Sequence, residues 1–161
     1  MGGEFPPQGS VVSQNSRVES EDLIVSVLEH PVSGESAFVY GDDGEDCDGR
    51  PINHHDLEDL VTANFAGNLR VLERRSLEVI LEEQRNGLSG IFDENTIVEA
   101  GRLAGAKYVL IPKVGCLLGD QTFNLKVISC ADATTLASAN ASASDMTLRD
   151  FYQEVKKSLF P

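Results

Sequence analysis

The sequence is short of basic residues and of long apolar runs. Lysine and arginine number 13 against 26 aspartates and glutamates, so the formal net charge is -13 at pH 7. Nucleic acids and anionic membrane surfaces are bound through clusters of Lys and Arg, and this composition disfavours both. No apolar run reaches the roughly 20 residues that cross a bilayer as a helix. With 41% hydrophobic residues, the chain has the composition of a globular protein with one core.

Sequence motifs of enzyme chemistry are also missing. We find no Gly-x-Gly-x-x-Gly, Walker A, Gly-x-Ser-x-Gly, His-Glu-x-x-His or Cys-x-x-Cys pattern. We therefore predict neither an enzyme nor a bound cofactor. The alternative is a small enzyme or metal-dependent module that uses the region of Cys47, His54 and His55. Adjacent histidines in an extended segment point apart, and carboxylates around Cys47 disfavour its thiolate, so this alternative is the weaker one.

The three cysteines are an odd number. Cys116 and Cys130 lie near apolar segments, which favours buried free thiols at both positions. If residues 107–116 and 122–130 pair as a hairpin, the two cysteines lie roughly 20–25 Å apart along the ladder. A disulfide needs a Cα separation of about 4.4–6.8 Å, so we predict no bridge between Cys116 and Cys130.

The most acidic stretch runs from Gly41 to Gly49. Its carboxylates form a weak calcium candidate, and they are Asp42, Asp43, Glu45, Asp46 and Asp48. If Gly49 takes the sixth position of an EF-hand loop, Gly44 falls at the first position and His55 at the twelfth. Both positions need acidic ligands, so the match fails. We interpret the stretch as a solvated loop and keep adventitious calcium binding as the alternative.

Hydrophobic spacing and turn residues divide the chain into strands and helices. Strands are predicted at residues 23–28, 69–72, 107–111, 122–130 and 136–143, and helices at residues 55–66, 74–85, 94–104 and 148–159. Residues 37–40 fit either a short extra strand or a loop. The resulting order, β-α-β-α-α-β-β-β-α, predicts an α/β fold with one mixed sheet packed with helices. Residues 1–21 are polar and are predicted to be a disordered leader or a cloning remnant, followed by one domain at residues 22–161.

Two details of this pattern make sharper predictions. Pro112 has no N–H to donate, so strand pairing on one side is expected to end at Ile111. The last helix carries an apolar stripe that we assign to the core, with a partner-docking face as the alternative. The stripe comprises Leu148, Phe151, Tyr152, Val155 and Leu159.

Several segments together carry a recognisable family pattern. The matching residues are Leu69, Arg70, Val71, Leu72, Glu73 and Arg74, then Leu77, Glu83 and Gln84, then residues 105–110, and finally residues 124–128 with Asp132, Thr134 and Ser138. This pattern resembles the CsgG family, whose namesake is the curli-secretion lipoprotein of the bacterial outer membrane. The resemblance covers about residues 23–159. It implies the fold of the CsgG periplasmic domain and of the TolB amino-terminal domain.

The resemblance also implies a function. It points to a non-enzymatic bacterial envelope protein, a protein-binding or scaffolding domain linked to outer-membrane secretion or assembly. The implied partners are other envelope proteins, with self-association into a homo-oligomer as a further option. Family members are usually secreted lipoproteins, anchored by a cysteine just after the signal peptide. This sequence shows neither feature, and we expect a periplasmic protein that is tethered to the outer membrane in its full-length form.

Two expectations concern how such a domain would act. Glu73, Arg74 and Arg75 are candidate partner contacts, although a helix-start carboxylate and local ion pairs explain the triplet better. The pore hairpins of the curli-type protein are not expected. A membrane-spanning hairpin needs roughly 20 residues. The connection at 115–121 has only seven residues, and the connection at 143–147 is shorter. We therefore predict no direct membrane insertion by this segment.

Overall fold

The computed structural model describes the backbone of residues 16–19 and residues 23–41, 44–72, 94–142 and 146–161. The strands in these ranges are β1 (Ser16–Glu19), β2 (Leu23–Val27), β3 (Ser36–Val39), β4 (Gly44–Glu45), β5 (Pro51–Ile52), β6 (Arg70–Val71), β7 (Tyr108–Leu117), β8 (Asp120–Ser129) and β9 (Thr135–Ser142). The helices are α1 (His54–Phe65), α2 (Glu94–Leu103) and α3 (Leu148–Leu159). The helix predicted at residues 74–85 lies outside the described residues.

Seven strands form one mixed sheet in the order β1-β2-β9-β8-β7-β3-β6. β3 runs parallel to both β6 and β7, and the other neighbours in the sheet are antiparallel. β7, β8 and β9 follow one another as hairpins and make up the long centre of the sheet. The predicted α/β fold with a mixed sheet is therefore confirmed. The open assignment near residue 37 resolves as a strand, β3.

One face of the sheet carries the larger core, which α1 and α3 cover. The apolar stripe of α3 is buried there through Phe151, Tyr152, Val155 and Leu159. β9 contributes small side chains to the same face, at Ala137, Ala139 and Ala141. Small residues let a helix approach the sheet closely, as the alternation along residues 136–143 suggests. The core assignment of the α3 stripe is therefore confirmed.

The opposite face is covered by α2 at the β7–β3 end. Gly101 on α2 makes this contact possible, because a Cβ there would lie 2.9 Å from the Val109 side chain and 3.2 Å from the Cys130 sulfur. Cys130 is buried and free, as predicted. Burial raises the pKa of the Cys130 thiol to about 11.

β1 lies within the segment that was predicted to be disordered. Its four residues pair antiparallel with β2, from Ser16 opposite Val27 to Glu19 opposite Ile24. Four residues of the predicted leader therefore form a strand. The assignment of residues 1–21 as a leader stays a prediction.

Pro112 affects the two sides of β7 differently. Pairing with β3 ends at Leu110, whereas pairing with β8 passes through Pro112 opposite Leu125 and continues to Leu117. The expectation that one side ends close to Ile111 is confirmed, and the strand itself is six residues longer than its predicted end at Ile111. The second half of β7 therefore leaves one edge open to another partner.

No helix in the described ranges has the length and apolar character needed to cross a membrane.

Candidate functional site

A small hairpin formed by β4 and β5 lies beside the second half of β7. Gly44 is the point of closest approach. A Cβ on this residue would lie 2.5 Å from the carbonyl oxygen of Val114, which is too close for any side chain. The β4–β5 hairpin is therefore held against the edge of β7 that β3 leaves unpaired.

A disulfide joins this hairpin to β7. It links Cys47 to Cys116 across 69 residues of sequence, with 5.1 Å between the Cα atoms, and both cysteines are solvent-exposed. The prediction of a buried free thiol at Cys116 is wrong. The predicted lack of a bridge between Cys116 and Cys130 holds. The pairing of Cys116 with Cys47 has no signal in the local sequence pattern, because only the fold brings the two cysteines together. Structural disulfides of this kind persist in oxidising compartments.

Asp46 shapes the turn between β4 and β5. Its Oδ1 accepts hydrogen bonds from the backbone N–H groups of Asp48 and Arg50, both at 2.9 Å. The Asp46 carboxylate therefore stabilises the turn by accepting two backbone hydrogen bonds. Asp42 and Asp43 lie outside the described residues. Within the part of the chain that the structure describes, no three His, Cys, Asp or Glu side chains converge as metal ligands. The interpretation of this stretch as a solvated loop, with adventitious calcium binding as the alternative, stays a prediction.

His54 and His55 lie at the start of α1 rather than in an extended segment. Asn53 caps this helix, and its side-chain oxygen accepts the His55 N–H at 2.7 Å. The two imidazole rings are 4.1 Å apart between centroids and tilted, so the expectation that they point apart is wrong. Cys47 is bonded to Cys116, and the three residues of the alternative enzyme site do not form a free Cys–His arrangement.

Glu58 is a buried carboxylate that sequence analysis missed. It lies on the inner side of α1 and is only 7% exposed. Its Oε2 accepts the N–H of Gly41 at 2.7 Å, which ties the chain after β3 to the helix. The sequence signal for the burial of Glu58 was its position three residues before Val61, on the apolar side of the helix. We assign Glu58 a positioning role, because a buried carboxylate that accepts a backbone N–H orients that segment.

The sheet face next to α2 carries a polar cavity of about 280 Å³. Asn124 of β8 and Asn140 of β9 lie opposite each other, and Lys126 lies opposite Ser138. The Lys126 Nζ also contacts the Glu94 carboxylate of α2 at 2.8 Å. Amide, hydroxyl and ammonium groups supply hydrogen bonds to a polar ligand or surface. They do not provide an activated nucleophile paired with a base.

The predicted partner contacts Glu73, Arg74 and Arg75 lie outside the described residues. Their role stays a prediction.

Part of the chain matches a known protein family. Residues 55–116 match the family model described as "Curli production assembly/transport component CsgG". The resemblance to the CsgG family is confirmed. The matched span is less than half of the chain and runs from α1 through α2 to the disulfide cysteine Cys116. No curated protein sequence is matched by this chain.

Solved structures share the fold at low sequence identity. The LpoB C-terminal domain from Salmonella enterica is 14% identical, with a TM-score of 0.58 over 70% of this chain and 84% of that one. The LpoB C-terminal domain from Escherichia coli is 15% identical, with a TM-score of 0.57 over 73% and 87%. The PelC L103M dodecamer from Paraburkholderia phytofirmans is 15% identical, with a TM-score of 0.50 over 84% and 96%. At these identities the likeness shows a shared fold.

Proposed function

We propose that this chain is a non-enzymatic domain of the bacterial envelope that binds or scaffolds other proteins. The match of residues 55–116 to the CsgG family carries the proposal, because it is the direct sequence link to envelope assembly and transport. The disulfide between Cys47 and Cys116 supports it independently, since such bonds persist in the periplasm and rarely in the cytosol. A role in outer-membrane secretion or assembly, with a tether to that membrane in the full-length protein, is part of the same proposal.

The competing enzyme or metal module is less well supported. It needs Cys47 as a nucleophile or thiolate ligand, and the bond to Cys116 removes that thiol in the oxidised protein. His54 and His55 are then left as two neighbouring imidazoles on one helix turn. Two ligands do not complete the three or four that a zinc site requires.

Self-association is a second candidate property. The PelC structure that shares this fold is described as a dodecamer, and its likeness covers 84% of this chain. We infer that a homo-oligomer is one way in which such a domain could scaffold a larger assembly. Light scattering coupled to size-exclusion chromatography tests it directly. A single mass of 17.4 kDa across the accessible concentrations would remove this candidate.

The main proposal is tested by crosslinking in intact cells. A tagged copy is treated with formaldehyde in the bacterium that produces it, and covalent partners are identified by mass spectrometry. We expect a defined envelope protein that also recovers this chain in the reciprocal purification. An unrelated tagged periplasmic domain of similar negative charge is the matched control. Equal recovery of the same proteins by that control, or no reciprocal recovery, would contradict the proposal.

A further inference from the structure

The turn between β7 and β8 exposes two leucines. Leu117 is 64% exposed and Leu118 is 96% exposed. Leu118 also has a φ of 53°, and Gly119 follows with a φ of 84°. Two successive positive φ angles are typical of a type I′ turn, which favours Asn or Gly because a branched side chain is crowded there. Leu118 is therefore unfavourable for its own turn.

The Leu118 side chain contributes almost no packing that would offset this backbone strain. At 96% exposure, its side chain buries almost no surface within the chain. Single exposed leucines are common on protein surfaces. An exposed leucine in a strained backbone conformation at the tip of a hairpin is uncommon. Such a residue suits a contact that forms only when a partner is bound. Buried apolar anchors are the groups that dominate binding energy in protein interfaces.

Acidic residues lie at the β7–β8 turn and on the hairpin that the disulfide links to it. Asp120 lies opposite Leu117 in the ladder of β7 and β8. The disulfide from Cys116 to Cys47 brings the turn that holds Glu45, Asp46 and Asp48 to the same end of β7. Arg50 is the basic residue of that turn. One carboxylate therefore lies next to the leucines in the ladder, and three carboxylates and one guanidinium lie on the turn that the disulfide links to Cys116.

The apolar surface continues from the tip onto the sheet. Leu117 lines a shallow cavity of about 360 Å³ together with Ile24, which is itself 38% exposed. A partner that covers Leu118 could therefore extend its contact across Leu117 toward β2. That continuity distinguishes the tip from Leu103, an exposed leucine on α2 that lines neither of the two cavities described above.

We propose that the acidic hairpin tip, defined as residues 116–120 with the disulfide-linked turn at residues 45–50, is the surface through which this domain binds its protein partner. The partner surface has an apolar pocket for Leu118 and a rim of Lys or Arg side chains. Charge complementarity argues for this partner. A second copy would bring another tip of like charge, and an anionic lipid surface would repel the carboxylates. The inference rests on the proposed protein-binding function and names its surface.

The first test maps what touches the tip in living cells. The photoreactive amino acid p-benzoylphenylalanine replaces Leu118 in one strain and Leu103 in another. After irradiation, we expect one protein crosslinked from position 118 and none from position 103. The crosslinked peptide should contain apolar residues flanked by Lys or Arg. A synthetic peptide or purified domain spanning that segment then serves as the probe for affinity measurements.

The second test separates binding from folding. Leu118→Asn places a residue that the turn favours, so the unfolding midpoint should stay the same or rise. The same change should weaken the affinity for the probe by about tenfold or more, because the buried leucine is removed. Asp48→Asn with Asp120→Asn should weaken binding and flatten its dependence on salt. Leu103→Asn, the matched control, should leave the affinity unchanged.

Several outcomes would overturn the inference. These are crosslinks from position 118 to a second copy of the chain, to lipid, or to a peptide without basic residues. An unchanged affinity of the Leu118→Asn variant would do the same. Protein crosslinks from position 103 alone would reject this surface and leave the protein-binding function standing. If neither position yields a protein crosslink and formaldehyde recovers no partner, the proposed function fails together with the inference.

Discussion

Two tyrosines show how a single hydroxyl changes stability according to its surroundings. The Tyr108 hydroxyl accepts the N–H of Val32 at 2.8 Å. The Tyr152 hydroxyl is fully buried in the α3 core and has no hydrogen-bond partner among the described residues. A buried polar group without a partner costs about 1–3 kcal/mol, whereas a satisfied one contributes about 0.5–1.5 kcal/mol. The same chemical change should therefore act in opposite directions at the two positions.

We expect Tyr152→Phe to raise the free energy of unfolding by about 1 kcal/mol, because it removes an unpaired buried hydroxyl. Tyr108→Phe, the matched control, should lower it by about 1 kcal/mol. Urea unfolding at pH 7 measures both. Burial raises the pKa of Tyr152 above its usual value of 10.0, so the unfolded chain loses the phenol proton first and stability falls as pH rises past that value. Equal losses in both variants would show that Tyr152 has a hydrogen-bond partner.

Cys130 should be unreactive in the folded protein. Its pKa of about 11 lies above the usual 9.0, so at pH 8 about a hundredfold less thiolate is present than in an ordinary cysteine. We expect no thiol to react with a disulfide reagent in the native protein, one per chain in urea, and three in urea after reduction. Two or more reactive thiols in unreduced urea would contradict the pairing of Cys47 with Cys116.

At the scale of elements, the β4–β5 hairpin depends on one close contact and one covalent link. The contact is Gly44 against the carbonyl of Val114, and the link is the disulfide between Cys47 and Cys116. Both attach to the second half of β7, beyond the point where pairing with β3 ends. They can therefore be weakened separately without touching the central ladder.

Gly44→Ala should destabilise the domain by about 1–3 kcal/mol, because the added methyl group would overlap the Val114 oxygen and displace the hairpin. Gly67→Ala is the control. A Cβ at Gly67 has no heavy atom within 4 Å, so that change should be neutral or stabilising by about 0.4–1 kcal/mol. Denaturant unfolding compares the two. If Gly44→Ala proves as mild as Gly67→Ala, the hairpin does not rest on β7.

Replacing both cysteines, with Cys47→Ser and Cys116→Ser together, should lower the free energy of unfolding by about 2–4 kcal/mol. The physical reason is that the bond closes a loop of 69 residues and restricts the unfolded chain. The unfolding midpoint is measured with and without a reductant. The double variant should not respond to the reductant, and the natural protein should shift toward the variant. A reductant-insensitive natural protein would argue against the bond.

At the scale of the whole molecule, both edges of β8 are occupied. Leu125 is opposite Pro112 of β7 on one side and opposite Ala139 of β9 on the other. The β7–β8 connection consists of Leu118 and Gly119 alone. A hairpin inserted into a bilayer would first have to break these ladders, and unpaired backbone groups are costly there.

Purified protein added to planar bilayers should therefore give no discrete conductance steps. A known pore-forming protein in the same bilayers provides the positive control. Reproducible single-channel openings that disappear in Leu118→Asn, a variant expected to fold normally, would contradict this expectation. The measurement tests the segment itself, independently of any tether or partner.

The sequence by itself determined the features that depend on near neighbours in the chain. Periodic apolar residues identified α1, α2 and α3, and alternation identified β8 and β9, because side-chain direction repeats every 3.6 or 2 residues. The α/β class, the core role of the α3 stripe and the buried free thiol at Cys130 followed from the same local patterns. The family pattern was readable for the same reason, since its residues lie in a few short segments of the sequence.

Only the tertiary structure decided the features that join distant parts of the chain. Cys47 meets Cys116 because Pro112 ends one side of β7 and leaves room for the β4–β5 hairpin. Glu58 is buried because the chain after β3 folds back over α1. Each of these contacts spans sequence separations that no local period encodes, so their partners became visible only once the sheet had assembled.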